Sequence, residues 1–308
     1  MPTSMTDGGI ILICVPTCMR PKMMAACLES ISQTRLPKDY ETRLLVLDND
    51  AAESAREAFE TMSFPFAARY MVEPKRGLST IRNCAFDEAK KEQAACVAFV
   101  DDDETVDKEW LVALLEGMTE TGADAISGCV EQVYVGKPPW WIRPGKDSPN
   151  IGIEPAKSIT TGLALIHARL FSQLSFDERF NLMGAEDYNF SLRAARLGFV
   201  FVRTGRARAW ESVVAVRMTF RSYVLSQWQR QTGYVLSHRT VDGFWKSLLF
   251  LPKGLMKVIK GLLYCACAIL FGKKMLMRGT KNLIAGTGLI YGVFAHGGYT
   301  KYAVIEGE

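Results

Sequence analysis

Several common functional signatures are missing from this sequence of 308 residues, and each absence excludes a class of protein. There is no G-x-x-x-x-G-K-[ST] loop, which disfavours a P-loop ATPase. No G-x-G-x-x-G follows the first apolar run, which disfavours hydride transfer on a dinucleotide-binding fold. The eight cysteines form no C-x-x-C pair, so the spacing that is typical of a zinc site is also absent.

Acidic residues are missing from a long C-terminal segment. Residues 243–305 contain no Asp or Glu but nine Lys and Arg residues, whereas the whole chain has a net charge of only +4. The rest of the chain is therefore slightly acidic. Because the basic residues of the segment are interleaved with aliphatic ones, a nucleic-acid partner is disfavoured.

The same segment has no uncharged run that is clearly long enough to cross a bilayer. Residues 261–272 are uncharged over 12 positions, whereas a helix that spans the ~30 Å hydrocarbon core needs about 20. Residues 282–300 are uncharged over 19 positions but include five glycines. We therefore predict a basic, amphipathic helical tail over 243–308 that lies on an anionic membrane surface, with a single span and a helical lid as alternatives.

The N-terminus also lacks a basic leader, and Asp7 precedes its first apolar run. This pattern does not resemble a secretory signal peptide, so we expect reduced cysteines and a cytoplasmic location. The overall composition, with 48% hydrophobic and 23% charged residues, is that of an ordinary globular protein.

Apolar runs and helical patterns alternate strictly over the first 120 residues. Continuous apolar runs predict buried strands, and apolar residues at helical spacing predict helices between them. Strict alternation indicates an α/β protein with a mostly parallel sheet that is covered by helices on both faces. The predicted strands are 9–17, 43–50, 66–73 and 95–100, and the predicted helices are 21–33, 52–62, 78–92 and 107–120.

The pattern becomes less regular after residue 122. We predict a strand over 125–135, a loop rich in Pro and Trp over 137–150, and a strand entering a turn over 158–171. Residues 176–199 are typical of a loop that leads into a helix. In that helix Tyr188, Leu192 and Ala195 are expected to share the buried face.

Four adjacent carboxylates follow the fourth predicted strand, at Asp101, Asp102, Asp103 and Glu104. In a parallel sheet the ligand crevice lies at the carboxyl ends of the strands. Carboxylates two residues apart can share a divalent cation, and hard oxygen ligands favour Mg²⁺ or Mn²⁺ with positions left for phosphate oxygens. The alternative is a solvated acidic turn with no ligand.

Six short motifs then occur in a fixed order between residues 9 and 205: VPTCMRP, VLDND, KRGLSTIRN, VAFVDDD, TTG and GAED. In this combination the sequence resembles the inverting, family two glycosyltransferases of the GT-A fold. The nearest resemblance is to bacterial exopolysaccharide enzymes such as the succinoglycan glucosyltransferases. The resemblance implies a Rossmann-like catalytic domain over 1–242, with a nucleotide-sugar half at about 9–122 and an acceptor half at about 123–242. Residues 243–308 would be a helical, membrane-associating extension.

The resemblance also implies a donor site at the strand ends. Arg82 and Asn83 would border the uridine and its phosphates, and Asp101 would face the ribose or the metal. Asp103 would coordinate Mg²⁺ or Mn²⁺, whereas Asp102 is ambiguous between these roles. The nucleobase and ribose pocket would be lined by Pro16, Thr17 and Asp48. The alternative interpretations are a strand-end turn acid for Asp48 and a surface ion pair for Arg82.

Glu186 and Asp187 match the family's E-D pair at the start of a helix. Inversion requires a single displacement, in which a carboxylate removes the proton of the attacking hydroxyl. The resemblance assigns this general base to Asp187, with Glu186 either supporting it or contacting the acceptor. The alternative is an acidic pair at a helix N-terminus that is favoured by the helix dipole alone.

The resemblance implies that Thr160, Thr161 and Gly162 form the wall near the donor sugar and the acceptor. Trp140 and Trp141 are candidates for stacking on acceptor sugars, although packing explains them equally well. In SQWQRQTGY, Gln227 and Arg230 fit the Q-x-x-R-W motif of processive members, but Gln231 stands where that motif has Trp. Processive synthesis is therefore disfavoured.

Together these observations predict the transfer of one sugar from a nucleotide sugar, with UDP as the expected nucleotide, to a lipid-linked or polysaccharide acceptor. The expected location is peripheral, at the cytoplasmic face of the inner membrane, with a single span as the alternative. A non-catalytic nucleotide-sugar-binding module of a polysaccharide assembly complex is the second hypothesis. A nucleotidyltransferase is disfavoured because its Gly-rich opening loop is missing.

Overall fold

A computed structural model describes residues 8–142 and 152–295. Parts of the predicted loop 137–150 and of the predicted tail 243–308 therefore lie outside the described residues. Within the described ranges a single sheet of nine strands forms the centre of the molecule. The strands are β1 Gly9–Thr17, β2 Tyr40–Asp48, β3 Ala67–Val72, β4 Cys96–Val100, β5 Glu104–Val106, β6 Ala125–Tyr134, β7 Ile153–Ala156, β8 Leu163–His167 and β9 Phe201–Val213.

The N-terminal half of the sheet is parallel, as predicted. Its strands lie in the order β3-β2-β1-β4, and each pair is parallel. In this register Thr17 at the end of β1 lies opposite Asp48 at the end of β2. The carboxyl ends of β1, β2 and β4 therefore meet at one edge, where a ligand crevice is expected.

The C-terminal half of the sheet is mixed. β8 is antiparallel to both β4 and β6, β6 is parallel to β9, and β5 and β7 are antiparallel to β9. The strands β5, β7 and β9 were not predicted, because β5 and β7 are short and β9 carries Arg203, Arg206 and Arg208 instead of an apolar run. Glu104 begins strand β5 instead of a turn, and it pairs with Glu211 of β9.

Helices cover both faces of the sheet, so the predicted α/β class is confirmed. One face of β1 carries Ile11, Ile13 and Val15, and it packs against the first and fourth helices. The other face carries Leu12 and Cys14, and it packs against the third and sixth helices. The helices are α1 Pro21–Ser32, α2 Arg56–Glu60, α3 Leu78–Lys91, α4 Trp110–Thr121, α5 Ala168–Phe171, α6 Glu186–Arg196, α7 Phe220–Asp242, α8 Phe244–Ser247, α9 Phe250–Phe271 and α10 Lys273–Phe294, with short 3-10 turns at Glu178–Phe180 and Ala215–Met218.

The buried face of α6 differs from the predicted stripe of Tyr188, Leu192 and Ala195. Phe190 and Ala194 are the apolar residues that are buried there, together with polar residues such as Asn189. Asn189 donates a 2.9 Å hydrogen bond to the hydroxyl of Thr240 on α7. A pattern of apolar residues cannot reveal this face, because part of it is buried through hydrogen bonds between side chains.

The last two helices form an antiparallel hairpin that turns at Gly272, which has a φ of 73°. Glycines let the backbones approach closely: a β-carbon at Gly261 would lie 2.9 Å from the backbone nitrogen of Leu283. On its other side α10 packs against α7, where a β-carbon at Gly292 would lie 2.9 Å from the carbonyl oxygen of Thr232. The three helices therefore form a layered unit in the order α9, α10, α7.

Within the described residues one helical segment, Phe244–Phe271, which comprises α8 and α9, is long and apolar enough to cross a membrane by length and composition. Of the 18 residues in its most apolar stretch, only 11% are buried inside the protein. The single span that the sequence left as an alternative thus keeps a candidate, at a place that differs from the uncharged runs 261–272 and 282–300.

Candidate active site

The carboxyl end of β1 is tied directly to the acidic loop after β4. The hydroxyl of Thr17 donates a 2.9 Å hydrogen bond to Oδ2 of Asp102, and Nη1 of Arg20 lies 3.1 Å from Oδ1 of the same carboxyl. Burial raises the pKa of Asp102 to about 7, although the charge of Arg20 acts in the opposite direction. The structure thus gives Asp102 two partners within the protein.

Asp103 lies between two arginines. Its Oδ2 is 2.8 Å from Nη2 of Arg217 and 3.4 Å from Nη1 of Arg20. Arg217 belongs to the 3-10 turn that follows β9, a strand that the sequence did not predict, so no sequence signal could have found it. Arg20 lies inside the VPTCMRP motif and could have been suspected from that position.

A buried arginine connects the acidic loop to the start of α6. Arg82 lies in the first turns of α3, and its side chain is only 3% exposed. Its Nη1 contacts Oε1 of Glu186, and its Nη2 lies 3.4 Å from Oδ1 of Asp101. Because a buried charge must be paired, this bridge fixes Glu186 relative to the end of β4. The alternative interpretation of Arg82 as a surface ion pair is therefore wrong.

Asp187 occupies the second position of α6. The chain enters this helix through Gly184 and Ala185, which have left-handed φ values of 74° and 72°. Burial, aided by the neighbouring charge of Glu186, raises the pKa of Asp187 to about 7, while Arg82 acts in the opposite direction. A carboxylate with such a pKa can accept a proton near neutral pH.

Glu104 is the least expected member of the cluster. It is buried, and burial and the charge of Asp101 hold its pKa well above the usual range. Within the described residues its Oε2 has no hydrogen-bond partner. A β-carbon at Gly162 would lie 2.4 Å from Oε1 of Glu104 and 3.4 Å from Oδ2 of Asp101, so glycine is required for this close approach.

Asp48 is fully buried at the end of β2. Its Oδ2 accepts a hydrogen bond from the Tyr70 hydroxyl and a 3.1 Å hydrogen bond from the backbone N–H of Ala55. Its Oδ1 accepts a 3.0 Å hydrogen bond from the backbone N–H of Asp50. Both oxygens therefore organise the loop after β2. Burial raises the pKa of this carboxyl.

Two asparagines hold neighbouring loops. The amide nitrogen of Asn49 donates to the carbonyl oxygens of Glu73 at 2.7 Å and Lys75 at 2.9 Å, a role that the sequence analysis missed. Asn83 was predicted at the donor phosphates, but its side chain exchanges two hydrogen bonds, of 3.0 and 2.7 Å, with the backbone of Phe176. The structure therefore does not place the amide of Asn83 in the acidic cluster.

The predicted acceptor residues lie in two groups. Thr161 is buried beside Gly162, and the N–H of Thr160 donates a 3.0 Å hydrogen bond to the hydroxyl of Ser127. The indole of Trp141 packs edge-on against Trp140 and, with ring centroids 5.9 Å apart, against Phe220 at the start of α7. Trp140 is 51% exposed, and Nζ of Lys273 lies 5.3 Å from its ring centroid.

The acidic loop offers hard oxygen ligands, but it does not form a complete metal cage. Among residues 8–142 and 152–295, no three His, Cys, Asp or Glu side chains converge on a common metal position. The carboxyl of Asp101 is 37% exposed, whereas that of Asp103 is paired with arginines. Carboxylate oxygens are the kind of ligand that Mg²⁺ and Mn²⁺ prefer, and the phosphate oxygens of a ligand would have to complete the coordination of a cation bound here.

Two solved structures resemble this fold over much of its length. The first is the mannosyltransferase PcManGT from Pyrobaculum calidifontis in complex with GDP-Man and Mn²⁺, with a TM-score of 0.63, 14% identity, and coverage of 92% of this chain and 87% of that one. The second is GalNAc-T7 with UDP, GalNAc and Mn²⁺, with a TM-score of 0.55, 10% identity, and coverage of 76% and 50%. These likenesses establish the GT-A fold.

Sequence comparisons agree with the fold. The chain is 35% identical over 185 residues to the succinoglycan biosynthesis protein ExoM of Rhizobium meliloti (strain 1021), which is 57% of this chain and 58% of that protein. The match thus spans somewhat more than half of the relative's length. The model of glycosyl transferase family 2 matches residues 12–180, which is more than half of the chain and contains the strand ends and the acidic loop. The chain therefore belongs to glycosyl transferase family 2.

Proposed function

We propose that this protein is an inverting glycosyltransferase that moves one sugar from a nucleotide sugar to a lipid-linked or polysaccharide acceptor. The observation that carries the proposal is Asp187, a carboxyl with a pKa of about 7 at the start of α6. The Arg82 bridge holds its neighbour Glu186 against Asp101 of the acidic loop. In this proposal the same ion-pair network holds the proton acceptor beside the site of the charged leaving group.

In this proposal Asp187 takes the proton of the acceptor hydroxyl as that oxygen attacks the anomeric carbon. A single attack from the face opposite the leaving nucleotide inverts the anomeric configuration. Glu186 and Arg82 position Asp187 and keep it near its working pKa, without contacting the reacting atoms. Thr17 and Pro16 lie at the end of β1 beside the nucleotide, while Asp48 and Asn83 shape the surrounding loops.

A divalent cation, Mg²⁺ or Mn²⁺, would stabilise the negative charge that develops on the leaving diphosphate. Asp101 and Asp103 would hold it, and Asp102 would fix the loop through Thr17 and Arg20. The two similar structures were both determined with Mn²⁺, which supports this choice. One of them contains UDP and the other GDP-Man, so the proposal of UDP relies on the sequence resemblance.

The acceptor would approach from the C-terminal half of a catalytic domain that covers residues 1–242. Thr161 and Gly162 form the wall beside Asp101, and the exposed indole of Trp140 offers a face on which a sugar ring could stack. Trp141 packs against Phe220 and supports that loop. The relative ExoM is a succinoglycan biosynthesis protein, which supports a saccharide acceptor.

Residues 243–308 would attach the enzyme peripherally to the cytoplasmic face of the inner membrane. Helix α9 packs on α10 along its glycine face, and α10 packs on α7 of the catalytic domain. This layering favours a hairpin that lies in the interface over a helix that leaves the protein to span the bilayer. The side of α9 that points away from α10 exposes Met256, Leu263 and Leu270.

The most direct test is a screen of nucleotide sugars with Mn²⁺ that measures slow donor hydrolysis and transfer. The wild type is expected to select one donor, and Asp103→Ala is expected to weaken Mn²⁺-dependent UDP binding in calorimetry. The exposed Asp87, changed to Ala, is the matched control that should leave both unchanged. Nucleotide-sugar binding with neither hydrolysis nor transfer would instead favour a non-catalytic binding module.

A further inference from the structure

A groove of about 320 Å³ lies where α7, α9 and α10 meet, outside the acidic cluster. Each of the three helices contributes polar side chains to its walls. Its volume is at the lower end of the range for small-ligand sites. The polar lining residues are Tyr223, Gln227 and Gln231 from α7, Lys257 from α9, and Lys281 and Asn282 from α10.

The groove carries positive charge that the described residues do not neutralise. No Asp or Glu lines it, and within residues 8–142 and 152–295 neither Lys257 nor Lys281 forms an ion pair with a carboxylate. The sequence explains why, because residues 243–305 contain no acidic residue. Nζ of Lys281 lies 5.8 Å from the ring centroid of Tyr223, which orients it toward the α7 wall. Two ammonium groups beside carboxamide and hydroxyl donors are suited to bind phosphate oxygens.

The position of the groove indicates where that phosphate comes from. On α9, Gly254 and Gly261 face α10, and helical periodicity puts Met256, Leu263 and Leu270 on the opposite, exposed side. Lys257 lies on the flank between these two sides. When the apolar side enters the acyl region of a membrane, a lysine on the flank is at the level of the lipid headgroups.

We propose that this groove binds the phosphate or diphosphate headgroup of a membrane lipid, with Lys257 and Lys281 as its cationic ligands. The inference rests on the membrane attachment proposed above but not on the sugar transfer. It assigns to the α9–α10 hairpin a specific lipid site in addition to general attraction by its seven basic residues. The bound headgroup would fix the orientation of the catalytic domain relative to the membrane through α7.

The test compares two variants that each remove two lysines, one from α9 and one from α10. The groove variant is Lys257→Gln with Lys281→Gln, and the control is Lys253→Gln with Lys274→Gln, whose lysines do not line the groove. Binding of the full chain is measured by flotation with vesicles of phosphatidylcholine alone and of phosphatidylcholine with phosphatidic acid. Calorimetric titration with inorganic pyrophosphate provides a soluble phosphate probe.

Both variants lose the diffuse attraction of two lysines to an anionic surface. This loss should weaken vesicle binding by the same factor in both, about 30-fold. On vesicles with phosphatidic acid, the proposal predicts that the groove variant binds about tenfold more weakly than the control variant. The reason is that its direct contacts to phosphate are lost as well. Equal losses by the two variants would overturn it. Loss of pyrophosphate binding by the groove variant alone, with equal vesicle binding, would overturn the lipid source in favour of a soluble anion.

Two further measurements keep this test separate from the proposed reaction. Thermal unfolding of both variants is expected to match the wild type, because the substituted side chains are exposed. Donor hydrolysis without vesicles is expected to be unchanged. A wild type that binds neither kind of vesicle would refute the membrane attachment and the lipid site together, while donor hydrolysis would still report on the sugar transfer.

Discussion

The acidic cluster at the sheet edge and the α9–α10 hairpin use charge in opposite ways. In the cluster the carboxyls of Asp102 and Asp103 share Arg20, and Asp101 and Glu186 share the buried Arg82. In the hairpin, basic residues stand without acidic neighbours beside exposed apolar side chains. The first region is neutralised mainly from within the protein, and the second is not.

This difference indicates what each region requires from outside. A buried ion pair adds little net stability, but it fixes geometry, which is what a site for a displacement reaction needs. Exposed cations next to an apolar surface gain free energy only when an anionic, partly apolar partner arrives. Breaking a buried ion pair in the cluster should therefore reduce stability and activity together. A change in the hairpin should affect binding to membranes alone.

The largest effect is expected for Arg82→Met. The substitution leaves Glu186 and Asp101 without their cation, and removal of one partner of a buried pair costs about 3–5 kcal/mol in free energy of unfolding. Transfer should also be lost, because Asp187 would no longer be held in place. Denaturant unfolding and a transfer assay measure the two effects.

The control for that experiment is Arg179→Met, which removes an exposed ion pair with Asp177. Exposed pairs contribute about 0–1 kcal/mol, so this variant should be nearly as stable as the wild type. If both variants lost the same amount of stability, the Arg82 bridge would not have the structural role that we assign to it.

The next largest effect is expected for Gly162→Ala. The new methyl group would lie 2.4 Å from Oε1 of the buried Glu104, and overpacking of this kind costs about 1–3 kcal/mol. Gly152→Ala is the control, since its β-carbon would meet nothing within 4 Å. Combining Gly162→Ala with Glu104→Ala should recover part of the lost stability in a double-mutant cycle. Strict additivity of the two changes would contradict a direct contact.

The pH dependence of the cluster should show activity and stability changing in opposite directions. Asp187 must be deprotonated to act as a base, so the transfer rate should rise with pH and level off above a pKa of about 7. The raised pKa favours the protonated carboxyl in the folded state. The protonated carboxyl of Asp187 therefore contributes stability that is fully present below about pH 4 and is lost as the pH rises to about 7. Asp187→Asn should flatten this part of the stability profile, measured by unfolding at several pH values.

The smallest effect on the fold is expected for Ile269→Ser with Leu270→Ser. These side chains are 89% and 82% exposed, so the free energy of unfolding and the donor hydrolysis should match the wild type. Vesicle binding should fall, because the apolar surface that enters the membrane is reduced. Unchanged vesicle flotation would show that this end of α9 does not enter the bilayer.

Much of the fold was predictable because the parallel strands β1, β2 and β4 are continuous apolar runs. The mixed half of the sheet was not, since β9 is a long strand in which Arg203, Arg206 and Arg208 interrupt the apolar pattern. Pairing with β6 and with the short strands β5 and β7 stabilises it instead. Such pairing is a property of the tertiary structure and leaves no local signal.

The candidate site was predictable as a set of motifs but not as a network. The D-D-D motif was found because it follows an apolar strand, and the E-D pair was found through its resemblance to the family motif. Arg217, the partner of Asp103, and Tyr70, the partner of Asp48, were missed, since contacts between residues that are far apart in the sequence carry no spacing signal. The burial of Glu104 likewise depends on β9 and on the glycine at position 162.

The central claim is that Asp187 is the general base of a single displacement, and the most direct measurement is the transfer rate of Asp187→Asn. The amide keeps the size of the side chain but cannot accept the proton, so we predict a loss of about 10²–10⁴-fold. UDP binding in the presence of Mn²⁺ should stay at the wild-type level, because the nucleotide site is intact. Transfer at the wild-type rate by Asp187→Asn would contradict the account.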